Sequence, residues 1–130
     1  MVQKISGVPI AGQYVDRGDN SSSDLAHGAM TLDSTWVAWD MSSVVPAGAI
    51  AVELAIQFVT GNIDKLLSFR KNGNSNDKNA LERKCLVAAV THLFGGKVSC
   101  DVNRVIEYFA TNPAPGAWDN IEINIRGWYF

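Results

Sequence analysis

The chain has 130 residues, 47% of them hydrophobic and 18% charged, with a formal net charge of -2. This length fits one domain around one core, and the balance of apolar to charged residues is that of a folded chain rather than a disordered one. The near-neutral charge, with no basic cluster, argues against nucleic acid as a partner, and Pro46 and Glu53 break the most apolar window, which argues against a membrane-spanning helix.

Residues 1–33 read as an extended N-terminal arm. Gly7, Pro9, Gly12, Gly18 and the polar run 19–24 keep interrupting the apolar positions Ile5, Val8, Ile10, Tyr14 and Val15, leaving room for one short strand. Such an arm either wraps its own domain or docks on a neighbouring subunit. The first residues lack the apolar run of a secretory signal, so synthesis in the cytoplasm without export is expected.

From Ser34 the pattern acquires a period of two, and 34–130 reads as a β-sandwich domain. Trp36 and Trp39, on the first strong strand, point to opposite faces. Val45-Pro46-Ala47-Gly48 forms a tight corner that can establish the first strand pairing. In 49–59, Ile50, Val52, Leu54, Ile56 and Phe58 share one face, with Ala49, Ala51, Glu53, Ala55 and Gln57 on the other, so a strand is expected. Leu67 and Phe69 alternate with Ser68 and Arg70, and a polar loop of turn formers fills 72–79.

Over 82–93 both faces are apolar, which predicts a central strand whose back is covered by the arm or by another subunit. A helix over 80–93 competes, since Ala80, Leu81, Glu82, Arg83 and Lys84 are good helix formers. Gly95-Gly96 reads as a two-residue hairpin turn, followed by a strand with Val98, Cys100 and Val102 facing inward. Another strand is expected over 105–110, a Pro/Gly loop over 112–117, and a last strand over 120–130 with Ile121, Ile123 and Ile125 inward. Seven or eight strands with frequent turn signals predict an all-β fold, an antiparallel sandwich of jelly-roll type. On the hairpin reading, Cys85 and Cys100 lie six residues apart along the ladder, roughly 20 Å, which is too far for a disulfide. Two free, buried thiols are expected.

Catalytic constellations are not apparent. His27 and His92 stand in the arm and beside a turn, and the chain has no His-Glu-x-x-His, Gly-x-Ser-x-Gly, Cys-x-x-Cys or phosphate-cradling glycine loop. No enzyme activity and no cofactor or metal is expected. Asp16, Asp19, Asp24, Asp33 and Asp40 match no calcium-loop template and read better as turn and capping residues. Arg17-Gly18-Asp19 reads as part of a turn rather than an adhesion motif. Of the four tryptophans, Trp118 and Trp128 are the candidates for stacking on a sugar, which makes a carbohydrate-binding module the alternative function.

Four stretches carry a likeness: 14–19 (YVDRGD), 31–36 (TLDSTW), 39–49 (WDMSSVVPAGA) and the terminal Gly127-Trp128-Tyr129. Together they resemble small β-sandwich proteins and terminal domains of tailed bacteriophages and environmental viruses, among tail-fibre, receptor-binding and capsid-decorating components. The resemblance implies a virion structural role, frequently as a trimer, with other virion proteins and a host-surface glycan as partners. Tyr14, Trp36 and Trp39 are candidate oligomer contacts: because Trp36 and Trp39 face opposite ways, one of them needs a cover beyond a two-sheet core, from the arm or from a neighbouring subunit.

Overall fold

The alternation in 49–59 is realised as the central strand of the molecule, with Val52, Leu54, Ile56 and Phe58 fully buried. The computed structural model describes residues 12–112 and 117–130. Its strands are β1 (Tyr14–Asp16), β2 (Leu25–Ala26), β3 (Trp36–Asp40), β4 (Ala51–Thr60), β5 (Leu66–Lys71), β6 (Leu81–Lys84), β7 (His92–Ser99), β8 (Val105–Ala110) and β9 (Trp118–Tyr129). One sheet has the order β1-β9-β4-β7 with β2 also on β9, the other β3-β8-β5-β6, and every pairing is antiparallel. When β1 and β2 are counted as one interrupted strand, the orders become first-eighth-third-sixth and second-seventh-fourth-fifth. That connectivity is a jelly roll, the sandwich expected from the sequence.

The core lies between the sheets. Val52, Leu54, Ile56 and Phe58 of β4, with Ile121, Ile123 and Ile125 of β9, face Leu67, Phe69, Ile106 and Tyr108 of the other sheet. Each large apolar side chain buried this way contributes about 1.5–3 kcal/mol relative to exposure. Met41 and Val45, both buried, belong to the same cluster from the corner after β3.

That corner has a different task from the one its sequence suggests. β3 belongs to one sheet and β4 to the other, so 41–50 carries the chain across the sandwich and makes no hairpin. Two hydrogen bonds onto the Met41 carbonyl, from Val44 and Val45, form its first turn, and Gly48 supplies a φ of +93°. Ile50, in phase with the inward set, precedes the strand and is exposed.

The reading of 82–93 as one strand is corrected. β6 ends at Lys84, and 85–91 passes from the edge of one sheet to the edge of the other. Cys85 turns inward, exchanging backbone hydrogen bonds with Lys65 and Asp64, and Ala89 adopts a φ of +60° while its N–H donates to the Thr60 carbonyl. An extended, doubly covered strand is therefore broken twice, and Leu86, Val87 and Val90 end on the surface.

Gly95-Gly96 is likewise no turn. Both lie inside β7, opposite Ala55 and Leu54. A Cβ on Gly95 would stand 2.4 Å from the Leu54 carbonyl oxygen, and one on Gly96 would stand 3.0 Å from the Leu81 side chain. Here the glycines serve close approach. The reversal falls at 100–104, where the Asp101 carboxylate accepts from the N–H groups of Asn103 and Val105, each at 2.9 Å. Val102 sits on that turn and is exposed, against the inward placement expected for it. Cys85 and Cys100 are free and buried as expected, although the hairpin used to separate them does not exist.

Of the arm expected over 1–33, residues 1–11 lie outside the described residues, and 12–33 lie along their own domain. β1 and β2 occupy the outer edge of β9, joined to it further by Arg17 N–H to the Arg126 carbonyl and Asp24 N–H to the Ile123 carbonyl, each at 2.9 Å. Arg17 forms an ion pair with Asp24, whose carboxylate also accepts the Ile125 N–H at 2.7 Å. With its guanidinium held there, Arg17 is not displayed as part of an adhesion tripeptide.

Candidate functional site

The tryptophans show what the sheet faces can offer. Trp118 is 4% exposed; its Nε1 donates to the Thr111 carbonyl at 2.9 Å and its ring meets Phe58 edge-on. Trp128 is half-buried against the core. Regular alternation from Ile121, Ile123 and Ile125 would turn Trp128 outward, but a bulge pairs Glu53 with Gly127 and Leu54 with Ile125, leaving Arg126 extra. The bulge resets the phase, so Trp128 pairs with Val52 and points inward. Neither ring offers the open face that stacking on a sugar uses.

Trp36 and Trp39 do face opposite ways. Trp39 packs against the core, whereas Trp36 lies on the outer face of its sheet, 5.5 Å from Phe109 between ring centres. The cover for Trp36 comes from its own domain: the Arg70 guanidinium lies over the ring. Arg70 is itself buried and paired with Glu107. Sequence reasoning missed this because Arg70 sits on an apparently solvated face. Tyr14 is 41% exposed and tilts against Tyr129 at 5.0 Å.

Two other surfaces stand out. At the end of the sandwich where β4 hands over to β5, Ile63, Leu86, Val87 and Val90 are all exposed, Leu86 by 68%. The hydrogen bonds of Cys85 and Ala89 to Lys65, Asp64 and Thr60 bring 85–91 against 60–65, so these apolar side chains share one end. Behind them Lys65 is buried; its Nζ donates to the Asn112 carbonyl at 2.7 Å, and desolvation pulls its pKa below the usual lysine range.

The second surface is a trough of about 360 Å³ on the outer face of the sheet containing β4, lined by Ala55, Gln57, Leu93, Gly95, Glu122 and Asn124, with Arg126 at one end. Its floor is low because Ala55 and Gly95 bring almost no side chain to that row.

Among the described residues no group of three or more His, Cys, Asp or Glu side chains gathers as a metal site. The N-terminal aspartates have turn partners: Asp16 accepts from Gly18, Asp33 from Thr35 and Asp40 from Ser42, each two residues on. The Asp40 carboxyl is held below the usual range by its hydrogen bonds from Ser42. Cys85 and Cys100 have thiol pKa values raised by burial, the reverse of an activated nucleophile. Compared with models of known protein families and with curated proteins, the sequence gives no match.

Proposed function

We propose that this chain is a non-enzymatic structural protein of a virus particle, a jelly-roll subunit that assembles with copies of itself as a trimer. Its place is on a bacteriophage virion, as a capsid-decorating or tail-fibre component in contact with other virion proteins. The observation that carries the reading is the apolar end formed by Ile63, Leu86, Val87 and Val90. Clustered large apolar side chains on a folded domain mark a surface that is covered in the assembled state. A jelly roll suits the role because two packed sheets give a rigid body whose connecting loops cluster at its ends. The four sequence stretches described above add the viral assignment. Tyr14 remains a candidate contact, while Trp36 and Trp39 are occupied within the subunit.

Light scattering on the purified protein at micromolar concentration tests the assembly. A trimer that becomes a monomer in the Leu86→Asp/Val90→Asp double variant is the expected result. A monomer for the unaltered chain that also fails to bind purified capsids or fibres would end the proposal.

A further inference from the structure

The trough beside β9 has a built-in polar network. Glu122 accepts hydrogen bonds from Gln57 Nε2, from Ser23 Oγ at 3.2 Å and from Asn120 Nδ2 at 3.3 Å. Asn20 Nδ2 donates to Asn124 Oδ1 at 3.0 Å, so the 20–23 segment leans over the trough from the β9 side. The carboxylate of Glu122 and the amide of Asn124 are thereby fixed in direction before any ligand arrives. Fixed hydrogen-bonding groups spare a ligand the cost of ordering them.

The remaining surface is of the opposite character. Ala55 and Gly95 leave a flat floor, and Leu93, 69% exposed, forms an apolar wall on the β7 side. Gly95 cannot gain a side chain without displacing the Leu54 carbonyl, so backbone packing itself keeps the floor bare. Three strands at about 4.8 Å spacing make the trough roughly 10 Å wide. At one end the bulge places Arg126 outward, and its charge offsets that of Glu122.

We propose that this trough binds a neutral saccharide, one or two pyranose rings long. A pyranose presents both faces this surface needs: ring C–H groups for Leu93, Ala55 and Gly95, and hydroxyls that donate to Glu122 and exchange hydrogen bonds with Gln57, Asn124 and Arg126. The balanced charge of Glu122 and Arg126 selects an uncharged ligand over an acidic one. The volume lies at the small end of ligand sites, about 300–1,000 Å³. The site is separate from the tryptophans suggested by the sequence, and it does not rest on the assembly reading.

Amide chemical-shift mapping on the full chain tests it, using glucose, galactose, mannose and N-acetylglucosamine with their disaccharides, beside an array of immobilised glycans. The expected result is saturable shifts of Gln57, Leu93, Gly95, Asn124 and Arg126 with at least one neutral sugar. At least a tenfold weakening is expected in Asn124→Ala and in Ala55→Leu, which fills the floor, with thermal unfolding showing both variants folded. Shifts centred elsewhere, full binding by both folded variants, or no response to any sugar or glycan would overturn the proposal. So would trough shifts that appear on concentrating the protein without sugar, which would assign the trough to a second copy. The assembly reading is tested separately, by the response of the oligomer to Leu86→Asp/Val90→Asp at the apolar end, so a failure of sugar binding is distinguishable from failure of the assembly reading.

Discussion

The guanidinium carbon of Arg70 lies 3.9 Å from the centre of the Trp36 ring, while Arg70 Nε donates to Glu107 Oε1 at 2.7 Å. One side chain therefore covers an aromatic face and neutralises a carboxylate on the same sheet surface. Arg70→Ala leaves Glu107 without its charge partner and uncovers the indole, and we expect a loss of about 2–4 kcal/mol. Arg70→Lys keeps the charge but not the planar stack, and should fall between the two. Urea unfolding followed by tryptophan emission measures both; a cost under about 0.5 kcal/mol for Arg70→Ala, the size of an ordinary surface change, would refute the arrangement.

Gly127 lies in β9 opposite Asp16 of β1. A Cβ there would lie 2.3 Å from the Val15 carbonyl oxygen and 2.5 Å from the Tyr14 hydroxyl. We expect Gly127→Ala to cost about 1–3 kcal/mol and to expose 14–24 to limited proteolysis. Gly61→Ala is the control: nothing lies within 4 Å of its Cβ position, and its effect should stay within about 0.5 kcal/mol. Equal midpoints and equal proteolysis for the two variants would contradict the close approach.

Both thiols should resist alkylation in the native protein. Cys85 lies against the Val87 carbonyl and Cys100 against that of Ala49, and burial raises both pKa values. Iodoacetamide followed by mass spectrometry should show labelling only as the protein unfolds in urea. Rapid labelling of Cys100 without denaturant would show that the β7–β8 end opens freely.

The turn at Asp101 supplies a pH dependence with a definite sign. Hydrogen bonds from Asn72, Val105 and Asn103 hold the Asp101 carboxyl below its ordinary value. Its contribution is therefore present above the unfolded-state pKa of about 3.9 and is lost as pH falls through the lower folded-state value. Asp101→Asn should remove that part of the acid dependence while costing less at pH 3 than at pH 7. Unfolding midpoints between those two pH values test this, and a constant difference would contradict it.

The parts of this fold that were legible in the sequence are those in which one residue sees one environment. β4, β5 and β9 alternate because one face of each meets the core, and that periodicity survives in the sequence. The segment 85–91 misled because exposed apolar residues in a crossing loop look the same as residues covered on two sides. Gly95-Gly96 misled because glycine serves turns and close strand packing alike, and only the Leu54 carbonyl distinguishes them. Trp128 was reversed by one bulged residue, Arg126, which has no marker in the sequence. The trough was invisible for a further reason: Gln57, Glu122, Asn124 and Ser23 come together only through pairings among β2, β4 and β9. Their types, ordinary for solvated strand faces, carried no signal alone.

The Phe130 N–H donates to the Gln13 carbonyl at 2.9 Å, beside the Tyr14 and Tyr129 pair. The register that pairs Ala51 with Tyr129 and Thr60 with Trp118 sets this corner at the opposite pole from Leu86 and Val90, roughly 30 Å away at strand rise. Anything joined to the chain near Gln13 or after Phe130 therefore departs from a single corner. The described domain thus carries its chain-end corner at one pole and its exposed apolar side chains at the other. Joining Gln13 to Phe130 through a short linker and reopening the chain within 72–79 should leave both sheets intact, because Gln13 and Phe130 are already hydrogen-bonded neighbours.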